Sequence, residues 1–164
     1  MKIISGIILL LCLFPAFALE IKGRVIKVSD GDTIKVLVDG KEEKIRLAKI
    51  DAPESKQEFG YQSTRYLAYL IYRKEVIVKY TKKGKYHRII GVVYCEGQEI
   101  NLLMVRNGYA RHYRHFDNTA EYIEAERKAK QERIGLWKND RAIDPYLYRK
   151  IEKLKKQQKK KKGF

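Results

Sequence analysis

The sequence predicts an α+β domain built on a small five-stranded β-barrel, with helices inserted between and appended after the strands. Three observations predict it. Apolar residues recur largely by twos through residues 21–47, glycine turns punctuate the strands, and stretches with helical spacing begin at residue 63.

Taken in order, Ile21, Val25, Val28, Ile34, Val36, Val38, Ile45 and Leu47 alternate within short runs. Asp30-Gly31 and Asp39-Gly40 divide them, each supplying a glycine expected at positive φ. A further strand pair is expected over residues 75–80 and 88–95, closed by Glu96-Gly97. Five short strands joined by tight turns favour a closed barrel over an open sheet. The first helix is expected over residues 63–73, with Tyr66, Leu67, Leu70 and Ile71 on one face. The second spans 101–107 and is capped by Gly108. The third runs from a capping box of Asn118 and Glu121 to Ile134, with Gly135 as its stop.

The two ends differ from the domain between them. Residues 1–18 read as a signal peptide: Lys2, an apolar run to Phe17, and Ala16-Phe17-Ala18 as a small-residue cleavage site. An uncleaved anchor is the alternative, but the run is short of the roughly 20 residues a spanning helix needs. The domain then covers residues 19–137, and residues 138–164 form a basic extension. A helix-permissive stretch over 146–156 precedes Lys159 to Lys162, and the last dozen residues are expected to lack structure. Cleavage places the mature chain outside the cytoplasm, secreted or periplasmic, with no membrane span. It also leaves Cys95 alone, which excludes a disulfide-stapled scaffold.

The formal charge is +16, which implies a polyanionic partner: nucleic acid, an anionic membrane or an acidic polysaccharide. Charge alone does not distinguish binding from catalysis. Three short segments carry chemistry. The first is the Asp30-Gly31-Asp32-Thr33 turn, and the second runs from Arg46 through Asp51-Ala52-Pro53 to Glu54. The third is Lys85-Tyr86-His87-Arg88. Each alone is ordinary loop or edge chemistry. Together they supply what phosphodiester hydrolysis needs. Asp32 and Asp51 offer hard oxygen ligands suited to Ca²⁺, which can polarise a phosphate and acidify a bound water. Arg46 and Arg88 can grip phosphate oxygens through paired N–H donors. Glu54 remains for general-base or water-orienting work, held near Asp51 by the locked φ of Pro53.

This ordered set (Asp-Gly-Asp-Thr, Arg-x-x-x-x-Asp-x-Pro-Glu, Tyr-x-Arg) resembles the staphylococcal nuclease, or thermonuclease, family over roughly residues 21–137. The resemblance implies an OB-type barrel of five strands with three helices. It also implies a Ca²⁺-dependent endonuclease and exonuclease acting on DNA and RNA, with 3′-phosphate products and no stable protein partner. Asp32 and Asp51 match the calcium carboxylates, and the Ala52 carbonyl a third ligand. Arg46 and Arg88 match the phosphate-binding arginines, Glu54 the proposed base, and Asp30 an acid beside the metal ligands. Lys85, Tyr86 and Tyr113 fall at substrate-binding positions. The sequence departs from the family at Ala52, where a threonine is usual, at His87, and in a shorter loop after Glu54. An aspartate is also missing from Lys82-Lys83-Gly84-Lys85.

Several features keep two readings. The Tyr109 to Phe116 segment interleaves bases with aromatics, as either a stacking surface or a loop packed on the barrel. His112 and His115 lack further ligands at zinc spacing. Tyr66, Tyr69, Tyr72 and Tyr122 are expected at the edge of the core. The terminal lysines either attract phosphate backbones or form a solvated tail. The runner-up function is a nucleic-acid-binding barrel without turnover, which missing acids or arginines would favour; none is missing.

Overall fold

The computed structural model describes residues 19–84, 88–139 and 142–162. The expected signal peptide, Lys85 and Tyr86 lie outside the described residues.

Five strands close the barrel: β1 (Leu19–Asp30), β2 (Thr33–Val38), β3 (Lys41–Leu47), β5 (Glu75–Lys83) and β6 (Ile89–Cys95). They pair in the order β3-β2-β1-β5-β6, and β3 returns to β6 to complete the ring. Two-residue strands β4 (Ile50–Asp51), β7 (Gln98–Glu99) and β8 (Arg111–His112) are added at its margins. Strand β1 serves both halves. Leu19 to Arg24 pair with β5, and Arg24 to Asp30 pair with β2. Register shifts after Val25 and Val28 bend the strand between the two. The closing seam is parallel, with Arg46 opposite Ile90 and Leu47 opposite Gly91.

The alternation seen in the sequence is realised inward. Val25, Ile34, Val36, Ile45, Leu47, Val76, Val78, Ile89 and Val93 are buried, each contributing about 1.5–3 kcal/mol by leaving water. Three helices cover this core: α1 (Gly60–Ile71) through Leu67 and Ile71, α2 (Ile100–Arg106) through Met104 and Val105, and α3 (Ala120–Gln131) through Tyr122 and Ala125. Asn101, fully buried on α2, accepts from Val93 N–H at 3.0 Å. It also donates to the carbonyls of Ala48 at 2.9 Å and Gly91 at 3.2 Å, tying the helix to the barrel seam.

The structure corrects several expectations. Helix α1 starts three residues earlier than its apolar spacing indicates, at Gly60. The Asn118–Glu121 box does not form. Helix α3 follows Thr119, whose side chain makes no cap bond. Asp117 instead accepts from the Thr119 N–H at 3.1 Å and hydroxyl at 2.8 Å. Gly40 takes positive φ as expected, and Asp39 before it does so too, but Gly31 does not; its role is close approach, described below. Of the four tyrosines, Tyr122 is core, whereas Tyr69 and Tyr72 are exposed, because they fall on the outer side of α1 and just past it. A fourth helix, α4 (Pro145–Lys162), adds to the three expected and covers most of the stretch expected to lack structure. Lysine, glutamine and leucine all favour helix there. Asp144 also satisfies its first turn, accepting from Tyr146 and Leu147 N–H at 2.9 and 3.3 Å. No helix among the described residues is long and apolar enough to cross a membrane.

Candidate active site

The chemistry-bearing residues meet at one end of the barrel because the chain turns sharply after β3. Lys49 adopts φ 65°, a left-handed conformation that ordinary residues avoid. The reversal carries the chain into β4, which pairs with β8 (Ile50 opposite His112, Asp51 opposite Arg111). Asp51 is thereby folded back onto Arg46 of its own segment. The Arg46 guanidinium bridges two acids, one nitrogen on Asp32 Oδ1 and the other on Asp51 Oδ1 at 2.9 Å.

Asp32 is almost wholly buried and accepts from the Ala52 N–H at 3.1 Å and the Thr33 hydroxyl at 3.1 Å. Burial pushes its carboxyl up to about 7 even with Arg46 beside it, and the nearby Asp30 and Asp51 push the same way. Burial works against the charge on Arg46 too, but Asp32 and Asp51 hold its guanidinium above the usual range. Asp30 caps the turn, accepting from the Asp32 N–H at 3.0 Å. Gly31 lies so close to α1 that a Cβ would stand 1.9 Å from Ser63 Oγ. Ser63 is itself buried and donates to the Tyr109 carbonyl at 2.7 Å. A Cβ on Gly60 would likewise stand 1.9 Å from the Glu54 carbonyl. Glycine at these two positions lets α1 press the acidic turns into place.

Arg46, Glu54, Arg88, Ala52 and Asp32 all line one open cleft of about 640 Å³, together with Asp30 and Tyr113. Arg88 lines the cleft and carries no ion pair among the described residues. Tyr113 is held by its N–H to the Lys49 carbonyl at 2.8 Å. Its ring lies 6.0 Å from the Arg46 guanidinium and edge-on to Phe116 at 4.9 Å. The Tyr109 to Phe116 segment divides between its two sequence readings: Tyr109 packs on the barrel core, whereas Tyr113 and Phe116 line the cleft. His112 is buried against Asp117, with Nε2 2.8 Å from Oδ2, and is part of the scaffold.

Sequence reasoning missed Arg149. From α4 it reaches both Asp51 oxygens, at 3.0 and 2.8 Å, and Glu54 Oε1 at 2.9 Å. Burial works against its charge, but the bonds to Asp51 and Glu54 hold the guanidinium well above its usual range. Gln57 helps fix this arrangement. Its Oε1 accepts from the Glu54 N–H at 3.2 Å, and its Nε2 donates to the Ile143 carbonyl just before α4 at 2.6 Å. The one signal available was an arginine in a lysine-rich helix, since only arginine offers a two-pronged fork to a carboxylate.

The donor set is chemically right for a hard divalent cation: carboxylate oxygens of Asp32 and Asp51 and the adjoining Ala52 carbonyl. Among the described residues, no three acidic, histidine or cysteine side chains converge into a ready cage. Two guanidinium groups, those of Arg46 and Arg149, bridge the carboxylates instead.

Residues 44–139 match the sequence profile of the family described as staphylococcal nuclease homologue. The chain belongs to the staphylococcal nuclease family. An uncharacterized endonuclease of Haemophilus influenzae is 42% identical over 132 residues, covering 80% of this chain and 74% of the relative. A micrococcal nuclease of Shigella flexneri is 37% identical over 164 residues, covering 93% and 94%. Protein ParB of Escherichia coli is 35% identical over 147 residues, covering 83% and 82%. Family and fold agree: this is a nuclease of the barrel type, whose substrates are nucleic acids.

Proposed function

We propose that the protein is an exported, Ca²⁺-dependent nuclease that hydrolyses DNA and RNA with little sequence preference and leaves 3′-phosphate ends. The observation that carries it is that Asp32, Ala52, Arg46, Glu54 and Arg88 line one open cleft, with Asp51 tied to it from behind through the Arg46 guanidinium that also holds Asp32. Asp32, Asp51 and the Ala52 carbonyl would hold the cation. When bound, it supplies positive charge to the phosphate and lowers the pKa of water. Arg88 and Arg46 grip non-bridging phosphate oxygens and take up the charge that builds on them as the fifth oxygen approaches phosphorus. Glu54, on the cleft wall, accepts a hydrogen bond from the attacking water and aims it in line with the leaving 5′ oxygen. Tyr113 offers a face on which a neighbouring base stacks.

Export rests on the leader in residues 1–18, and a single copy of the chain suffices for the site. The test is a panel of divalent cations on single-stranded DNA, duplex DNA and RNA, with end-group analysis of the products. Cleavage in millimolar Ca²⁺ that EDTA abolishes, with 3′-phosphate ends, is the expected result. Intact DNA and RNA in Ca²⁺ would overturn it in favour of a binding module. Amino-terminal sequencing of the exported chain should begin at Leu19.

A further inference from the structure

Helix α4 faces the domain with its charged side. At about 100° per residue, Arg149, Lys153, Lys156 and Lys160 fall within a narrow row, roughly 16 Å long at 1.5 Å per residue. Leu147, Ile151 and Leu154 fall on the opposite side and are about half exposed. This inverts the usual arrangement, in which the apolar stripe packs inward.

The row forms one wall of a groove of about 610 Å³ whose other wall is the turn Glu54-Ser55-Lys56. The groove adjoins the cleft, and the Glu54–Arg149 ion pair lines both. Its charge is one-sided. Glu54 is neutralised by Arg149 at 2.9 Å, and Glu152 by Lys155 at 2.9 Å. Lys56, Lys153 and Lys160 make no ion pair among the described residues. Tyr148, half-buried at the head of the row, lines the same groove. A row of unneutralised cations repels itself unless a polyanion lies along it. An aromatic face beside such a row suits an unpaired base, which a duplex keeps stacked inside.

We propose that this groove is a binding track for single-stranded nucleic acid, guiding the strand's phosphate backbone between α4 and the Glu54–Lys56 turn into the cleft. The proposal deepens the nuclease reading and rests on it for the identity of the polyanion. Its α4 wall lies beyond the family match, which ends at residue 139.

The test compares two triple variants of equal charge change. One is Lys153→Gln/Lys156→Gln/Lys160→Gln on the groove face. The other is Lys150→Gln/Lys159→Gln/Lys161→Gln, none of which lines the groove. Binding of a fluorescent 20-nucleotide oligothymidylate and of a dinucleotide is measured in EDTA across a salt series. The groove triple should bind the long oligonucleotide about tenfold more weakly near 0.1 M salt. Its salt slope should be shallower by about 2, from three lost contacts at about 0.7 each on a single strand. Dinucleotide binding should be unchanged, and the outer triple should stay within about twofold of wild type. Equal losses in both triples would reduce the surface to a diffuse positive cloud, and no loss in either would remove it; both outcomes overturn the proposal. So would a groove triple that keeps oligonucleotide affinity and loses only binding to anionic vesicles. Because turnover is not needed, the binding result stands even if the wild-type protein cleaves nothing in Ca²⁺. That failure would sink the nuclease reading alone.

Discussion

Arg149→Ala should tighten Ca²⁺ binding about tenfold. Both Asp51 oxygens and Glu54 Oε1 are taken by the Arg149 guanidinium, at 2.8–3.0 Å. Arg46 shares Asp51 Oδ1 at 2.9 Å, so Asp51 has no oxygen free of a guanidinium. A cation ligated by Asp51 must therefore displace Arg149 or share its charge. At an effective dielectric of 20, two unit charges about 4 Å apart interact by about 4 kcal/mol. Most of that is recovered when the released guanidinium meets water, and the side chain is already 35% exposed. A net about 1.5 kcal/mol, the low end for a charge-assisted bond, remains to oppose the cation. That is about tenfold in affinity. Calorimetric titration of Ca²⁺ into wild type, Arg149→Ala and Arg149→Lys measures it, with lysine intermediate because it carries the charge without the fork. Amide exchange across residues 145–156 supplies a readout independent of activity: Ca²⁺ should accelerate it in wild type. Unchanged or weaker affinity in Arg149→Ala, or Ca²⁺ loading with α4 exchange unaltered, would refute the competition.

Three other outcomes are expected. Arg88→Ala should lower kcat about 10²- to 10³-fold. Its thermal midpoint should barely move, since Arg88 has no ion pair among the described residues; a large loss of stability would mean the residue is structural. Asn101→Ala strands one buried N–H and two carbonyls and should cost about 2–4 kcal/mol in urea unfolding. Glu126→Gln tests a pH-linked contact. Glu126 is buried, a cost that Lys130 at 2.8 Å, the His112 N–H and Arg114 outweigh, so its carboxyl titrates below the ordinary 4.5. A depressed acid stabilises the fold above its unfolded value, and that contribution disappears as pH falls through the folded one. Wild type should therefore exceed the variant by about 2 kcal/mol near pH 7, with the gap closing below pH 4.5. A gap independent of pH would assign the loss to packing.

The barrel was legible in the chain because strand period and turn chemistry are local. Val25, Ile34, Val36 and Ile45 face inward as their spacing requires. The ligand chemistry was legible too, since carboxylates and arginines declare their partners by type. Helix ends were less so. At Gly60 the start of α1 is set by close contact with the Glu54 carbonyl, which no nearby residue announces.

By itself, then, the sequence determined the barrel class, the polyanionic partner and the set of acids and arginines from which a phosphodiesterase site is made. Those properties follow from backbone periodicity, net charge and functional-group chemistry, all readable over a few residues at a time. Only the tertiary structure decided how the set is wired. It folded Asp51 back onto Arg46 through the left-handed Lys49 and turned the basic face of α4 toward the Glu54–Lys56 turn. It also delivered Arg149 to Asp51 across 98 residues of sequence. Contacts of that span depend on how packed elements meet, and residue order does not encode them locally.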